Sequence, residues 1–234
     1  MNATEVMKQL EKMGSEQQRK TYERHGCTAP IFGVKIADLK TIVKKVKSDT
    51  ALAKELYRTG NGDAMYLAGL IANGKELSRK ELDEWAAKSP WSMISGYTVP
   101  WVAAEHPQGW EAAMKWINSS EEKITISGWN TLGAIVSMRE DKDLDIAAIE
   151  KLLDRVVKEI GKAPNDTRYA MNGFIIAVGS YIKPLTKKAL ASAEKIGCVE
   201  VELCGACKLP AAVDYIKKVI AKGTHGKKRT TVKC

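Results

Sequence analysis

In the stretch Val34-Lys-Ile-Ala-Asp-Leu-Lys-Thr-Ile-Val-Lys-Lys-Val-Lys47, the apolar Val34, Ile36, Leu39, Ile42, Val43 and Val46 recur mostly at spacings of three and four. Lys35, Lys40, Lys44, Lys45 and Lys47 fall elsewhere around the turn. This is the period of an amphipathic α-helix with one buried face. The same period recurs outward in both directions. Toward the N-terminus it predicts helices over 4–12, capped by Thr4, and over 16–24, capped by Ser15 and stopped by Gly26 and Pro30. Toward the C-terminus it predicts helices over 49–58, 63–72, 78–88, 92–105, 106–117, 119–138, 143–160, 165–181, 184–196 and 210–221. Pro100 should kink or shorten the one that contains it.

Short connectors between helices make neighbours antiparallel. About a dozen short helices in up-and-down order match helix-pair solenoids with repeats of about 40 residues. The fold class expected is all-α: a curved solenoid of antiparallel helix pairs forming one domain over 1–234. One segment departs from the helical period. In Cys198-Val-Glu-Val-Glu-Leu-Cys204, Val199, Val201 and Leu203 alternate with Glu200 and Glu202, the pattern of a half-buried strand. A small β-hairpin over 198–209 is expected, with the alternating tail 229–233 able to pair beside it.

The chain has 234 residues, 44% hydrophobic and 28% charged, which supports a substantial core and excludes a disordered chain. Its longest apolar runs fall far short of a bilayer span, and no charged-then-apolar leader opens it at Met1, so no membrane role and a cytoplasmic location are expected. Thirty-seven Lys and Arg against 28 Asp and Glu leave a net charge of +9, which points to a polyanionic partner, nucleic acid first. From Ile216 onward, Lys217, Lys218, Lys222, Lys227, Lys228, Arg229 and Lys233 occur with no acidic residue, and Gly223 and Gly226 suggest a flexible basic tail over 222–234. A solvated tail with no fixed partner is the plain alternative; the second basic cluster, 35–47, favours binding.

Six tryptophans against two phenylalanines is a skewed aromatic usage. Core packing accounts for most of them, and Trp91, after Pro90, is the one expected to be exposed for stacking. Cys204 and Cys207 form a CxxC for which His225 and Cys234 are a conceivable second ligand pair, but that spacing fits no standard zinc module, so no metal and no cofactor are expected. No phosphate-cradling glycine loop and no Gly-x-Ser-x-Gly elbow is present, and His25, His106 and His225 sit in no catalytic motif.

Phe32-Gly-Val-Lys-Ile-Ala-Asp-Leu-Lys40, Gly60-Asn-Gly-Asp-Ala-Met-Tyr-Leu-Ala68 and Lys88-Ser-Pro-Trp-Ser-Met-Ile-Ser95 together resemble the DNA alkylation repair family of HEAT-like-repeat proteins, the AlkD-like proteins, over roughly residues 1–195. The resemblance implies a solenoid that holds duplex DNA in its concave face, whose active members excise alkylated purines without flipping the base. Excision of that kind needs a carboxylate beside the sugar and aromatic faces around the cationic nucleotide. Tyr22 matches the family's N-terminal aromatic and Trp91 one cage tryptophan. Ser95 stands where active members carry the catalytic aspartate, Leu132 where they carry a phosphate-binding arginine, and Ile175 or Ile176 near the second cage tryptophan. Glu105, ten residues on, would lie about 15 Å away along a straight helix. With the strand-like segment, these departures resemble the AlkF and AlkG branch, regarded as lacking glycosylase activity and preferring branched DNA.

The function expected is therefore binding of duplex or branched DNA by a monomer without base excision. Tyr22, Lys35, Lys40, Lys44, Trp91, Ser95, Lys227, Lys228 and Arg229 are the DNA-binding candidates, and no catalytic residue is expected. An alkylpurine DNA glycosylase using another carboxylate, and a helical-repeat scaffold for an acidic protein partner, are the rival readings.

Overall fold

The computed structural model describes residues 1–202 and 208–233. Among these, thirteen α-helices run in order: α1 (Ala3–Met13), α2 (Glu16–Arg24), α3 (Ile36–Val46), α4 (Thr50–Arg58), α5 (Gly62–Ile71), α6 (Arg79–Ala87), α7 (Val99–Glu105), α8 (Gly109–Trp116), α9 (Glu122–Met138), α10 (Ile146–Glu159), α11 (Asn165–Tyr181), α12 (Thr186–Ile196) and α13 (Ala212–Ala221). None is long and apolar enough to cross a membrane. Short polar side chains set many of the starts. Ser15, Asp49, Asn61, Ser78 and Asp145 each accept from a backbone N–H in the first turn of their helix. The first helix starts earlier than its sequence suggests, because Asn2 rather than Thr4 is the cap: Asn2 accepts from the Glu5 N–H at 2.9 Å and Glu5 reaches back to the Asn2 N–H at 3.1 Å.

The helix expected over 92–105 is divided in two. Ile94–Thr98 is a π-helical turn, closed by a Val99 N–H to Ile94 carbonyl bond, and α7 follows with Pro100 in its first turn. Proline has no N–H to give the Gly96 carbonyl and its ring crowds that oxygen, so the chain widens by one residue before resuming the α form.

Alternate helices form two layers. In one, α3 packs on α5, α5 on the π turn and its continuation α7, these on α9, α9 on α11, and α11 on α13. Against them, α4 covers α5, α8 covers α9 and α12 covers α11. The first set is called the inner layer below. Successive inner helices are separated in sequence by an antiparallel outer one, so they run the same way. Every residue of α5 is buried, and its Gly69 lets the π turn come close: a Cβ there would lie 2.8 Å from the Thr98 methyl carbon. The core comprises two apolar clusters, one built mainly from elements between α1 and α8 together with Ile135 of α9 and Val232, and one from α8 through α13, with Trp110 and Leu144 packed against both.

The expected hairpin is absent among the described residues. Cys198–Glu202 and 208–209 lie in no strand, and 203–207 fall outside the described residues. The alternating segment finds a side-chain partner in place of a ladder. Asn165 accepts from the Glu202 N–H at 2.7 Å and donates to the Glu202 carbonyl at 3.0 Å, while Arg168 donates to the Glu200 carbonyl at 2.9 Å. These bonds tie the segment to the first turn of α11.

At the other end of the molecule, Asp63, in the first turn of α5, is 2% exposed and accepts from the backbone N–H groups of Phe32, Gly33 and Val34 at 2.8–3.0 Å. The loop from α2 to α3 is wrapped around this carboxylate. Burial pushes the Asp63 carboxyl up from its ordinary value, against the opposing pull of the three N–H groups. Asp63→Ala would leave three donors unpaired and is expected to lower stability by on the order of 3 kcal/mol, read from urea unfolding. A carboxyl with a raised value keeps its proton longer when folded. Its contribution to stability is therefore full below the unfolded value and falls as pH rises through the raised one. Asp63→Asn, which retains one acceptor, is expected to cost less than Ala and to remove that fall.

Candidate nucleic-acid interface

The Asp63 anchor positions the first group of candidate residues. With the loop fixed, the Val34 carbonyl accepts from the Tyr22 hydroxyl at 2.9 Å, and the Tyr22 ring meets Trp91 at 5.1 Å between centroids, tilted by 59°. The Trp91 indole N–H donates to the His25 carbonyl at 3.0 Å. Burial, with the Asp63 charge beside it, pushes the Tyr22 phenol up to about 12. The expectation that Trp91 is exposed does not hold: it is 6% exposed, because the end of α2 and the loop after it lie over the ring. Four of the other five tryptophans are buried as well, and Trp110 is half-buried.

Ser95 lies in the π turn at 1% exposure, its hydroxyl directed at the Trp91 and Ser92 carbonyls at 3.4 and 3.5 Å. No negative charge is available from it. The carboxylate whose field reaches Tyr22 is Asp63, and its oxygens are taken by backbone N–H groups. Glu105 lies at the far end of α7, where it accepts from the Gly74 N–H and from Lys233, both at 3.0 Å. Leu132 and Ile175 are fully buried in the second core cluster, and Ile176 is half-buried beside it.

The basic tail is docked along the molecule. The Gly226 N–H donates to the Ser180 carbonyl at 2.9 Å, at the end of α11. The Lys228 ammonium donates to the Val136 carbonyl at 2.9 Å and pairs with Asp141 at 2.8 Å, and the Arg229 N–H donates to the Ser137 carbonyl at 2.8 Å, all at the end of α9. Lys233 bonds the Ala72 carbonyl at the end of α5, together with Glu105 at the end of α7. Between these contacts Val232 is buried in the first core cluster. The tail is thus a strap over the C-terminal ends of four inner helices, where cations offset the unpaired carbonyls. Lys228 consequently does not face solvent with its neighbours: its side chain is 8% exposed, while Lys227 and Arg229 on either side of it are exposed.

Lys35, at the start of α3, and Lys40 and Lys44 on it are exposed, and none of the three forms an ion pair among the described residues. Lys217, Lys218 and Lys222 are exposed on and just after α13. The two basic clusters therefore mark opposite ends of the inner layer, and the strap runs between them. Two features were not anticipated from sequence. Arg155 stands over the Trp129 ring at 5.7 Å while donating to the Ile117 carbonyl and to Asn118, which ties α10 to the α8–α9 turn. Tyr97, in the π turn, is 43% exposed. No cluster of His, Cys, Asp or Glu among the described residues could hold a metal ion, and Cys204, Cys207 and Cys234 lie outside them.

A two-layer array of antiparallel helix pairs around an apolar interior is the architecture of a HEAT-like-repeat protein. The chain belongs to the family described as DNA alkylation repair enzyme, whose model matches residues 6–216. It is 31% identical over 206 residues to the uncharacterized proteins Lin0241 of Listeria innocua and Lmo0209 of Listeria monocytogenes, spanning 85% of this chain and 88% of each relative. Over the full length of both chains it matches, with a TM-score of 0.91 and 36% identity, a solved structure described as a new family of proteins related to the HEAT-like repeat DNA glycosylases with affinity for branched DNA structures.

Lys228→Ala is expected to strand Asp141 and the Val136 carbonyl and to cost about 2 kcal/mol, read as a lowered melting temperature. Because the pair is shielded, the loss should persist in 1 M salt. Lys227→Ala, at an exposed position, should leave melting unchanged.

Proposed function

We propose that this protein binds branched DNA through phosphate contacts and does not excise bases. The observation that carries the reading is Ser95. Where excision would require a carboxylate beside the sugar, this chain has a buried hydroxyl turned onto its own backbone. The aromatic pair next to it is closed, with both polar ends bonded internally. Asp63 and Glu105 are committed to backbone N–H groups elsewhere, which argues against a glycosylase that uses a substitute acid. In this reading Lys35, Lys40, Lys44, Lys227 and Arg229 contact phosphates, Tyr22, Trp91 and Ser95 shape the wall behind them, and Lys228 holds the strap. The affinity for branched DNA ascribed to the full-length structural match supports the choice of ligand.

The test is binding of a four-way junction and a linear duplex over a salt series. Each phosphate neutralised contributes about 0.9 to the slope of log K against log salt. Joint replacement of Lys35, Lys40 and Lys44 by Ala should reduce that slope by about 2 to 3, and Lys227 with Arg229 by about 2. A scaffold for an acidic protein would show no junction preference. No methylated purine should be released from alkylated DNA, and release by the purified protein would refute the reading. Ser95→Asp should not create excision, because a carboxyl at a 1% exposed position would be held protonated and would destabilise the π turn.

A further inference from the structure

Only five large hydrophobic side chains are exposed among the described residues, and three of them are tyrosines on inner-layer elements: Tyr97 on the π turn, Tyr169 on α11 and Tyr215 on α13. The opposite side of this layer is covered by the outer helices, so exposed side chains of inner helices stand on its open side. Tyr97 has the most developed setting. Its ring leans on Trp101 at 6.0 Å between centroids, and Trp101 in turn meets the buried Tyr66 edge-on at 5.2 Å. The exposed ring is therefore the outer member of an aromatic column and loses little freedom when something stacks on it.

The inner layer carries open glycines on the π turn, α9 and α11. A Cβ at Gly96 would meet only the Asn130 amide nitrogen, at 3.9 Å; one at Gly133 on α9 would meet only Ala177, at 3.7 Å; one at Gly173 on α11 would meet nothing within 4 Å. Three inner elements in succession thus each carry a glycine with no close neighbour where a side chain would stand. The π turn contributes to the same arrangement: the Val99 to Ile94 bond spans five residues, and within that turn Ser95 is buried while Tyr97 is exposed. Single π turns inside helices occur frequently at functional sites.

We propose that Tyr97 stacks on an unpaired nucleobase at a DNA branch point, and that this contact supplies the preference for branched over linear DNA. The inference rests on the reading given under Proposed function and adds the residue that discriminates. Phosphate contacts by lysine and arginine attract every duplex alike. A flat aromatic face gains from a base only where the base is already unstacked, as at a junction, gap or flap, because extraction from an intact duplex costs several kcal/mol.

The experiment uses the full-length protein with Tyr97→Ala and Tyr97→Phe. The probes are a four-way junction, a gapped duplex with 2-aminopurine opposite the gap, and a linear duplex of equal length. Tyr97→Ala is expected to weaken junction and gap binding roughly tenfold, to leave linear-duplex affinity within about twofold and to leave the salt slope unchanged, since no phosphate contact is lost. Tyr97→Phe should retain the preference. The wild type should quench 2-aminopurine on binding, a readout that needs no variant. Equal losses on linear and branched DNA, or no loss while the wild type prefers branched DNA, would overturn the role of Tyr97 and leave the proposed function standing. A wild type that binds all three probes alike would overturn the proposed function and this inference with it.

Discussion

The C-terminal ends of the inner helices impose the constraint on which this architecture depends. Stacking α5, α7, α9 and α11 in one direction gathers their unpaired carbonyls and the negative ends of their dipoles along a single rim. A closed bundle can alternate helix directions and cancel that field locally, whereas a two-layer array of pairs cannot do so within a layer. The last residues of this chain solve the problem by running across the rim, with backbone N–H groups at Gly226 and Arg229 and ammonium groups at Lys228 and Lys233 placed against successive helix ends. Because Val232 is packed in the N-terminal core cluster although it lies near the end of the sequence, the strap also joins the two apolar clusters that Trp110 and Leu144 connect on the inside.

The N-terminal repeat is held differently, by one buried carboxylate rather than a row of cations. Asp63 stands in the first turn of α5, where the dipole favours negative charge, and the loop that it organises is the one that encloses Tyr22 and Trp91. A buried residue thus holds in place the loop that closes over the aromatic pair. Removing its acceptor oxygens would free the loop and with it the wall that now hides Trp91.

Helices were legible in the sequence wherever a cap and a breaker bracketed the apolar period. Ser15 with Gly26 gave the bounds of α2, and the helical period alone gave those of α11, 165–181. Boundaries that moved did so where the deciding bond was made by a neighbouring residue, as with Asn2 in place of Thr4. The alternation over 198–202 was real, but its partner is the Asn165 amide, which satisfies a backbone N–H and carbonyl as a strand would and has no pairing signature of its own. The tail was read as free because its charge was visible and its acceptors were not: Lys228 and Lys233 bind main-chain carbonyls 92 and 161 residues away, and a carbonyl looks the same under every side chain. The candidate site was legible as a substitution, Ser95 for an acid, while its closure was not, since that depends on the loop from α2 to α3 folding over it. Tyr97 carried no signal in one sequence, because its exposure follows from the widened turn before Pro100.

Strap and site meet in the electrostatics. Without the tail, the rim formed by four helix C-termini would repel a phosphate backbone approaching from that side, whatever the net charge of the whole chain. Lys228 and Lys233 neutralise it from within, and in doing so they fix Lys227 and Arg229 on the outer surface of the strap, with α3 and α13 carrying further exposed lysines at either end of the layer. One segment therefore turns a negative edge into a basic one, with its inward cations paired against helix ends and its outward cations exposed to solvent and to salt. Held on a docked strap, the outward cations also have less conformational freedom to lose than a loose tail would, which favours a ligand of fixed shape over an arbitrary polyanion.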